Sequence, residues 1–160
     1  MNIKANELKQ LIASLAICLA VGLAGSFFTS PAIPTWYAQL SKPTFNPPNW
    51  LFGPVWTVLY ILMAVAVWLI WRQGRPTGEV KLPLALFALQ LALNLLWSFI
   101  FFGCHAPLYA YVEIMLLWLA IVFTIIGFTR LSHPAAWLMF PYLLWVTYAS
   151  LLNYTIWKLN

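Results

Sequence analysis

The sequence predicts an all-α integral membrane protein, a single domain of residues 1–160 built as a bundle of five transmembrane helices. Hydrophobic residues make up 64% of the 160 residues and charged residues 7%, whereas a soluble domain carries roughly 25% charged residues. Five apolar stretches are each long enough to cross a hydrocarbon core of roughly 30 Å. Composition therefore disfavours soluble, disordered, coiled-coil and nucleic-acid-binding classes.

The connections between the apolar stretches fix their order. A basic start followed by an apolar run also fits a signal peptide, but the first run exceeds the usual core of roughly 7–15 residues and favours a membrane span. Residues 29–49 form one long loop, and a short hydrophilic loop turns at Arg75-Pro76-Thr77-Gly78. The last two connections are so short that the third, fourth and fifth spans are predicted to be antiparallel neighbours. The predicted spans are residues 8–28, 50–71, 82–102, 107–129 and 134–157.

Basic residues are distributed unequally between the two ends of this bundle. Only Lys42 and Lys158 fall on the side of the long loop and the C-terminus. Because positive charge concentrates in cytoplasmic loops, the N-terminus is predicted to be cytoplasmic and the long loop to lie on the opposite side. The six basic residues on the N-terminal side are Lys4, Lys9, Arg72, Arg75, Lys81 and Arg130.

The long loop alternates prolines with aromatic residues. Its prolines, at positions 31, 34, 43, 47 and 48, fix φ and remove backbone donors, which predicts a stiff, non-helical segment. Two interpretations stay open: a lid over a binding site, or a connector whose tryptophans anchor at the lipid headgroups. Trp36, Lys42 and Trp50 are its candidate ligand-binding residues.

Three of the spans carry stripes of aromatic and amide side chains at helical spacing. Residues four apart share a helix face, and polar groups at this depth are costly unless they face the bundle or a cavity. The amides act either as interhelical hydrogen bonds or as pocket lining, and Ala149 either leaves room for a ligand or permits close helix contact. The stripes are Trp56 and Tyr60 on the second span, Gln90, Asn94 and Trp97 on the third, and Tyr142, Trp145, Ala149, Leu152 and Asn153 on the fifth.

The three stripes are predicted to lie at a similar depth in the bilayer. At 1.5 Å per residue, Trp56 lies about 9 Å from the loop-side end of its span, and Asn94 and Ala149 about 14 Å from theirs. A cavity there, walled by indole and phenol rings with a few amides, suits a flat, largely apolar ligand such as a porphyrin or a sterol. Lys42 at the rim would meet a porphyrin propionate.

Four segments carry a resemblance to a known family, in order and at matching spacing from about Trp36 to Tyr154: WYAQLSKPTFNPPNW, FGPVWTVLY, QLALNLLWSFIFFG and PYLLWVTYASLLNY. They resemble the translocator protein family (TspO/MBR), also called tryptophan-rich sensory proteins or peripheral-type benzodiazepine receptor homologues. The first helix matches only in character. The resemblance implies a five-helix membrane protein that binds porphyrin, haem, sterols and benzodiazepine-type synthetic ligands, with no obligatory cofactor.

The resemblance also implies roles for individual residues. Trp56 and Trp145 fall on the family's pocket tryptophans, and Gln90 and Asn94 on its polar pocket positions. Ala149 falls on the small residue whose replacement is linked in the family to altered ligand binding.

Two further features come from the same comparison. Leu152, Tyr154 and Lys158 fit the family's C-terminal cholesterol pattern, a short motif of low specificity. Phe45 stands where relatives often have Trp, which keeps a stacking face and removes the indole N–H donor.

Isolated polar residues leave alternatives open. Glu113, about two turns into the fourth span, is either a functional intramembrane acid or a hydrogen-bonded or water-exposed structural carboxylate. His105 is either a solvated loop histidine or an axial haem ligand. Cys18 and Cys104 lack metal-site spacing and are predicted to be packed or free thiols, so no protein metal site is expected.

Small residues recur every four positions on two of the spans. Such ridges let helices approach closely, either within the monomer or in a homodimer. They are Ala16, Ala20 and Ala24 on the first span and Ala88 and Ala92 on the third.

Taken together, these features predict a membrane receptor or sensor for tetrapyrroles and sterols, with a role in tetrapyrrole regulation, stress signalling or transport. One alternative is a light- or oxidant-dependent porphyrin-degrading enzyme that uses Trp56 and Trp145 as redox-active indoles. A second is a porphyrin or sterol transporter, against which stand the lack of a clear internal repeat and the scarcity of intramembrane charge.

Overall fold

The computed structural model describes residues 5–73 and 77–160, and these residues form helices joined by short segments, with no strand among them. Five helices are long and apolar enough to cross a membrane, which confirms the predicted fold class. They are α1 (Ala5–Ala32), α3 (Asn49–Trp71), α4 (Thr77–Ser98), α5 (Pro107–Thr129) and α6 (His133–Leu159), accompanied by the short α2 (Trp36–Gln39) and a π-helix (Phe99–Gly103).

The helices overlap the predicted spans and differ from them mainly at α1 and α4. Helix α5 occupies residues 107–129, whereas α1 runs from Ala5 through Pro31 to Ala32 and α4 begins at Thr77, five residues before the predicted start. The prediction of a wholly non-helical loop is wrong at α2, because no proline lies between Pro34 and Pro43 to remove a backbone donor there. Thr77 begins α4, while Gly74–Pro76 lie outside the described residues, as does Lys4, so the turn predicted at Arg75-Pro76 is not described.

Antiparallel packing follows the short connections. Helix α5 packs against both α4 and α6, α3 packs against α6, and α1 packs against α3 and α4. The core between them contains fully buried Met63, Ile121, Met139 and Val146. Helix α1 covers one flank of this core and buries few of its residues.

The small-residue ridges face outward. Ala16 and Ala20 on α1, and Ala88 and Ala92 on α4, are exposed on the outer surface of the bundle, whereas Ala24 is half-buried. The exposed ridges are therefore not buried between helices of this chain. The homodimer stays a prediction.

The two ends of the bundle differ in how α1 is held. At the end away from the long loop, Glu7 pairs with Arg72 (Oε2 to Nη2, 3.7 Å). The Trp68 indole N–H donates to the Glu7 carbonyl oxygen (2.9 Å), and the Arg72 guanidinium lies 4.7 Å from the Trp68 ring. These contacts tie α1 to α3 at that end, and the long loop occupies the other end, here called the loop end.

The π-helix joins α4 to the loop end. The Cys104 N–H donates to the Phe99 carbonyl oxygen (2.8 Å), the wide bond of a π-turn, and the Ala106 N–H donates to that of Ile100 (3.2 Å). His105 between them has φ 54°, the left-handed conformation that often ends a helix. The wide turn buries the adjacent Phe101 and Phe102 together.

Candidate functional site

A cavity of about 480 Å³ lies between α1, α3 and α4 towards the loop end. Its volume falls within the roughly 300–1,000 Å³ of small-molecule sites. Exposed Leu23, Gly53 and Thr57 lie at its rim, so this cavity opens between α1 and α3 on the outer face of the bundle. Its other lining residues include Gly22, Ser26 and Thr29 of α1, Phe52, Trp56 and Tyr60 of α3, and Asn94, Trp97 and Ser98 of α4.

A much smaller compartment lies towards α6. Its volume is about 20 Å³, little more than a single water needs. Trp145, Ala149, Leu152 and Asn153 of α6 line it. The predicted stripes of α3, α4 and α6 therefore meet at a nearly filled space, and the open volume lies on the α1 side.

Four aromatic side chains separate the two spaces and line both of them. We call this group the aromatic partition: Phe52, Trp56, Trp97 and Phe102. Because its members belong to both walls, a ligand in the large cavity would touch the same rings that face α6.

A buried polar chain crosses the bundle beside this partition. The Tyr60 hydroxyl donates to Asn94 Oδ1, and Asn94 Nδ2 donates to the Tyr142 hydroxyl oxygen (2.9 Å). Tyr142 is fully buried, and its ring meets that of Trp56 edge-on at 6.2 Å. Asn94 thus does both things the sequence left open, since it joins three helices and lines the large cavity.

The two tryptophans of the partition differ in their hydrogen bonding. The Trp97 indole N–H donates to Asn153 Oδ1 (3.0 Å), and Asn153 Nδ2 donates to the Pro107 carbonyl oxygen (2.8 Å). Trp97 also stacks on Phe101 at 5.2 Å. The Trp56 N–H has no hydrogen-bond partner among residues 5–73 and 77–160, so it is an available donor at the cavity wall.

Trp145 and Ala149 lie on the α6 side. The Trp145 ring contacts Phe52 of the partition at 6.3 Å and Tyr148 at 5.6 Å. Ala149 is half-buried and lines the small compartment. A larger side chain at this position would fill what space remains there.

Gln90 and Glu113 are buried outside both spaces. Gln90 Nε2 lies 3.9 Å from Met63 Sδ. Gln90 Oε1 and both carboxyl oxygens of Glu113 have no hydrogen-bond partner within the described parts of the chain. Within these parts of the chain, no hydrogen bond supports the interpretation of Glu113 as a hydrogen-bonded structural carboxylate.

Lys42 is engaged by its own loop. Its Nζ donates to the carbonyl oxygens of Ala38 (3.2 Å) and Leu40 (3.1 Å) and lies 4.8 Å from the centre of the Tyr37 ring. These two bonds use two of the three N–H donors of the ammonium group and hold Lys42 against its own loop.

Trp36, Trp50 and His105 lie away from the large cavity. The Trp36 and His105 rings stack 4.4 Å apart, 14° from parallel, in a separate cleft of about 380 Å³ at the loop end. Trp50 is 71% exposed. His105 therefore faces a different space from Trp56, and no group of three or more metal-ligating His, Cys, Asp or Glu occurs in the residues that the structure describes.

The residues of the cholesterol pattern do not share a surface. Leu152 is buried and Tyr154 is exposed, and Lys158 Nζ lies 4.2 Å from the ring of Trp157 and 5.8 Å from that of Tyr154. A sterol site built from this motif stays a prediction.

The loop is fastened to α6. The Ser41 N–H donates to Asn160 Oδ1 (2.9 Å), and Asn160 Nδ2 donates back to the Ser41 carbonyl oxygen (3.0 Å). The Tyr148 hydroxyl donates to the Phe45 carbonyl oxygen (2.5 Å). This bond uses the backbone of Phe45, so it does not depend on whether Phe or the Trp often found in relatives occupies the position.

Tyr37 links the loop to the partition. Its hydroxyl donates to Asn46 Oδ1 (2.6 Å), and its ring lies 6.4 Å from that of Phe52. Burial, reinforced by Tyr148, raises the pKa of Tyr37 to about 12 although the bond to Asn46 lowers it. Tyr37 therefore remains a neutral donor well above neutral pH.

The contribution of α1 was missed from sequence. Gly22, Ser26 and Thr29 line the large cavity, but α1 has no aromatic stripe to indicate a site. The available signal was the run of small and hydroxyl residues in VGLAGSFFTS, within an otherwise aliphatic helix.

Five helices long and apolar enough to cross a membrane, with an aromatic-walled, ligand-sized cavity between three of them, define a helical membrane protein. Residues 14–158 match the model of the TspO/MBR family. The chain belongs to this family, as the four segments predicted, and the matched range includes most of α1.

Individual relatives are similar over most of this chain. The Tryptophan-rich protein TspO of Chlorobaculum tepidum is 48% identical over 154 residues, 96% of this chain and 98% of that protein. The Translocator protein of Homo sapiens is 40% identical over 126 residues, 78% of this chain and 75% of its own length. The Tryptophan-rich sensory protein of Cereibacter sphaeroides is 38% identical over 146 residues, 91% of this chain and 88% of its own.

Proposed function

We propose that this chain is a membrane receptor or sensor that binds tetrapyrroles, with sterols as a second ligand class, in the large cavity. The observation that carries the proposal is the unpartnered indole N–H of Trp56 at the wall of a cavity of about 480 Å³. Trp56 is half-buried, and an acceptor on a ligand in this cavity would give its N–H a hydrogen bond worth about 1 kcal/mol.

The lining matches the chemistry of a planar macrocycle. Indole and phenol faces of Trp56, Tyr60 and Trp97 offer stacking surfaces. Thr57 and Ser98 supply a few hydroxyl groups, which would fix orientation as the sparse polar groups of ligand sites do. The opening between α1 and α3 suits a ligand that is dissolved in the bilayer.

A route from the cavity to the loop supports a sensory role. Phe52 of the partition contacts Tyr37 of α2, and Tyr37 is bonded to Asn46 further along the loop. A ligand that moves Phe52 would therefore move the loop. The names of the relatives, translocator protein and sensory protein, describe those proteins, and we extend a sensory role to this chain as part of the proposal.

The test is a titration of the purified protein in detergent with protoporphyrin IX, followed by quenching of tryptophan fluorescence. Trp56→Phe keeps a stacking face and removes the N–H donor. A lost hydrogen bond of about 1 kcal/mol corresponds to about fivefold weaker binding.

Trp137→Phe is the matched control, because Trp137 is 66% exposed on α6 near the end away from the loop. It should bind like the unsubstituted protein. Equal dissociation constants for the two variants would refute the role of Trp56, and no saturable quenching in the unsubstituted protein would refute tetrapyrrole binding.

A further inference from the structure

Gly22 of α1 packs directly against the Tyr60 ring in the wall of the large cavity. A β-carbon placed on Gly22 would lie 2.7 Å from both Cδ2 and Cε2 of Tyr60. Carbon atoms in contact are roughly 3.5–4.0 Å apart, so no side chain fits between this backbone and the Tyr60 ring. Because residue 22 is glycine, the Tyr60 ring packs directly against the backbone of α1.

The Tyr60 side chain has little freedom to move away from a larger residue at position 22. Its hydroxyl donates to Asn94, which is held in turn by Tyr142. Its ring lies 5.8 Å from the ring of Trp56. A push from α1 would therefore break a buried hydrogen bond, drive Tyr60 towards Trp56, or displace α1 itself.

Among the glycines that the structure describes, Gly22 alone would place a β-carbon closer than 3.0 Å to a neighbouring atom. The nearest atoms would be 3.2 Å away at Gly25, 3.1 Å at Gly103 and 3.3 Å at Gly127, and at Gly53 and Gly78 nothing lies within 4 Å. Gly22 and Tyr60 both line the large cavity. Any displacement between them changes the width of that cavity.

We propose that Gly22 is a specificity-determining position: by seating Tyr60 against α1 it sets the width of the cavity and admits wide, planar polycyclic ligands. This inference rests on the proposed function and adds α1 to the elements that select the ligand. A side chain at position 22 narrows the cavity for wide ligands and leaves room for smaller ones.

The experiment compares Gly22→Ala with the unsubstituted protein, using protoporphyrin IX as the wide probe and diazepam as the smaller one. Protoporphyrin binding should weaken about tenfold, equivalent to about 1.4 kcal/mol, while diazepam binding changes less than threefold. Gly78→Ala is the matched control, since Gly78 is helical, lies outside the cavity and has open space for a methyl group. Its two affinities should match those of the unsubstituted protein.

A compensating variant separates a change of width from general damage. Tyr60→Leu alone removes a stacking face of the cavity, so Gly22→Ala/Tyr60→Leu is compared with Tyr60→Leu and not with the unsubstituted protein. Because leucine vacates the space of the ring, adding Gly22→Ala to Tyr60→Leu should change the ratio of the two affinities less than twofold. Equal weakening of both probes in Gly22→Ala, or a tenfold change of the ratio when Gly22→Ala is added to Tyr60→Leu, would overturn the inference. If the unsubstituted protein binds the probes and Gly22→Ala keeps the same ratio, only this inference fails; if it binds neither probe, the proposed function fails as well.

Discussion

At the scale of single residues, the partition holds one tryptophan fixed and leaves the other without a partner. Trp97 is bonded to Asn153, which is bonded to Pro107, whereas Trp56 keeps only ring contacts. Sequence spacing correctly placed Trp56 with Tyr60 on one face and Asn94 with Trp97 on another. It could not distinguish the two tryptophans, because the hydrogen-bond partner of Trp97 lies on α6, far away in the chain.

The first prediction concerns Asn153. Asn153→Ala leaves the Trp97 N–H and the Pro107 carbonyl oxygen without this partner, and should lower the free energy of unfolding by about 1–3 kcal/mol. Thermal denaturation in detergent measures the change. Thr155→Ala is the control, because the Thr155 hydroxyl donates to the Leu151 carbonyl oxygen of its own helix, and it should shift stability by less than about 0.5 kcal/mol. Equal stability of the two variants would contradict the assigned role of Asn153.

At the scale of elements, the long loop is a fastened cover at the loop end of the bundle. Sequence predicted its position and the stiffness that its prolines give it. The reciprocal bonds of Ser41 with Asn160, and the bond from Tyr148 to the Phe45 carbonyl, were beyond prediction. They join backbone groups to side chains far away in the chain, and neither periodicity nor composition records such pairs.

The second prediction concerns pH. The pKa of Tyr37 is raised from 10.0 to about 12 in the folded protein, so the neutral phenol contributes stability that is complete below pH 10. As the pH rises from 10 to 12 the unfolded or detached loop ionises first, and this contribution is lost. The fastened loop should therefore persist from neutral pH to about pH 10.

Spectrophotometric titration of phenolate measures this directly. Subtracting the curve of Tyr37→Phe from that of the unsubstituted protein should leave one transition near pH 12. A difference transition at 10.0, the ordinary pKa of tyrosine, would mean that the loop is detached.

At the scale of the whole molecule, hydropathy predicted the helix bundle but not the position of its cavity. The bounds of α5 and the antiparallel order of α4, α5 and α6 follow from runs of apolar residues and short connections. The cavity lies where α1 packs imperfectly against α3 and α4. Its position depends on contacts such as that between Gly22 and Tyr60, which have no counterpart in the amphipathic pattern of any single helix.

The third prediction concerns orientation across the membrane. Cys104 is exposed at the loop end and Cys18 is buried in α1. Cys104 can therefore report which side of the membrane the loop end faces, and buried Cys18 should not react. If the N-terminus is cytoplasmic, a membrane-impermeant maleimide added to intact cells should label Cys104, and Cys104→Ser should abolish the labelling. Labelling that appears only after the membrane is permeabilised would reverse the predicted orientation.

The π-helix accommodates one more residue than a regular turn of α-helix. Continued α-helix at about 100° per residue would turn Phe102 about 140° away from Trp97. The wide turn instead brings the two rings to 5.9 Å. Deleting one residue between these two would let the stretch close as regular α-helix, with the rings four positions apart and about 40° from each other. In aligning relatives, a single-residue gap in this stretch therefore marks the loss of the wide turn and not the loss of the cavity wall.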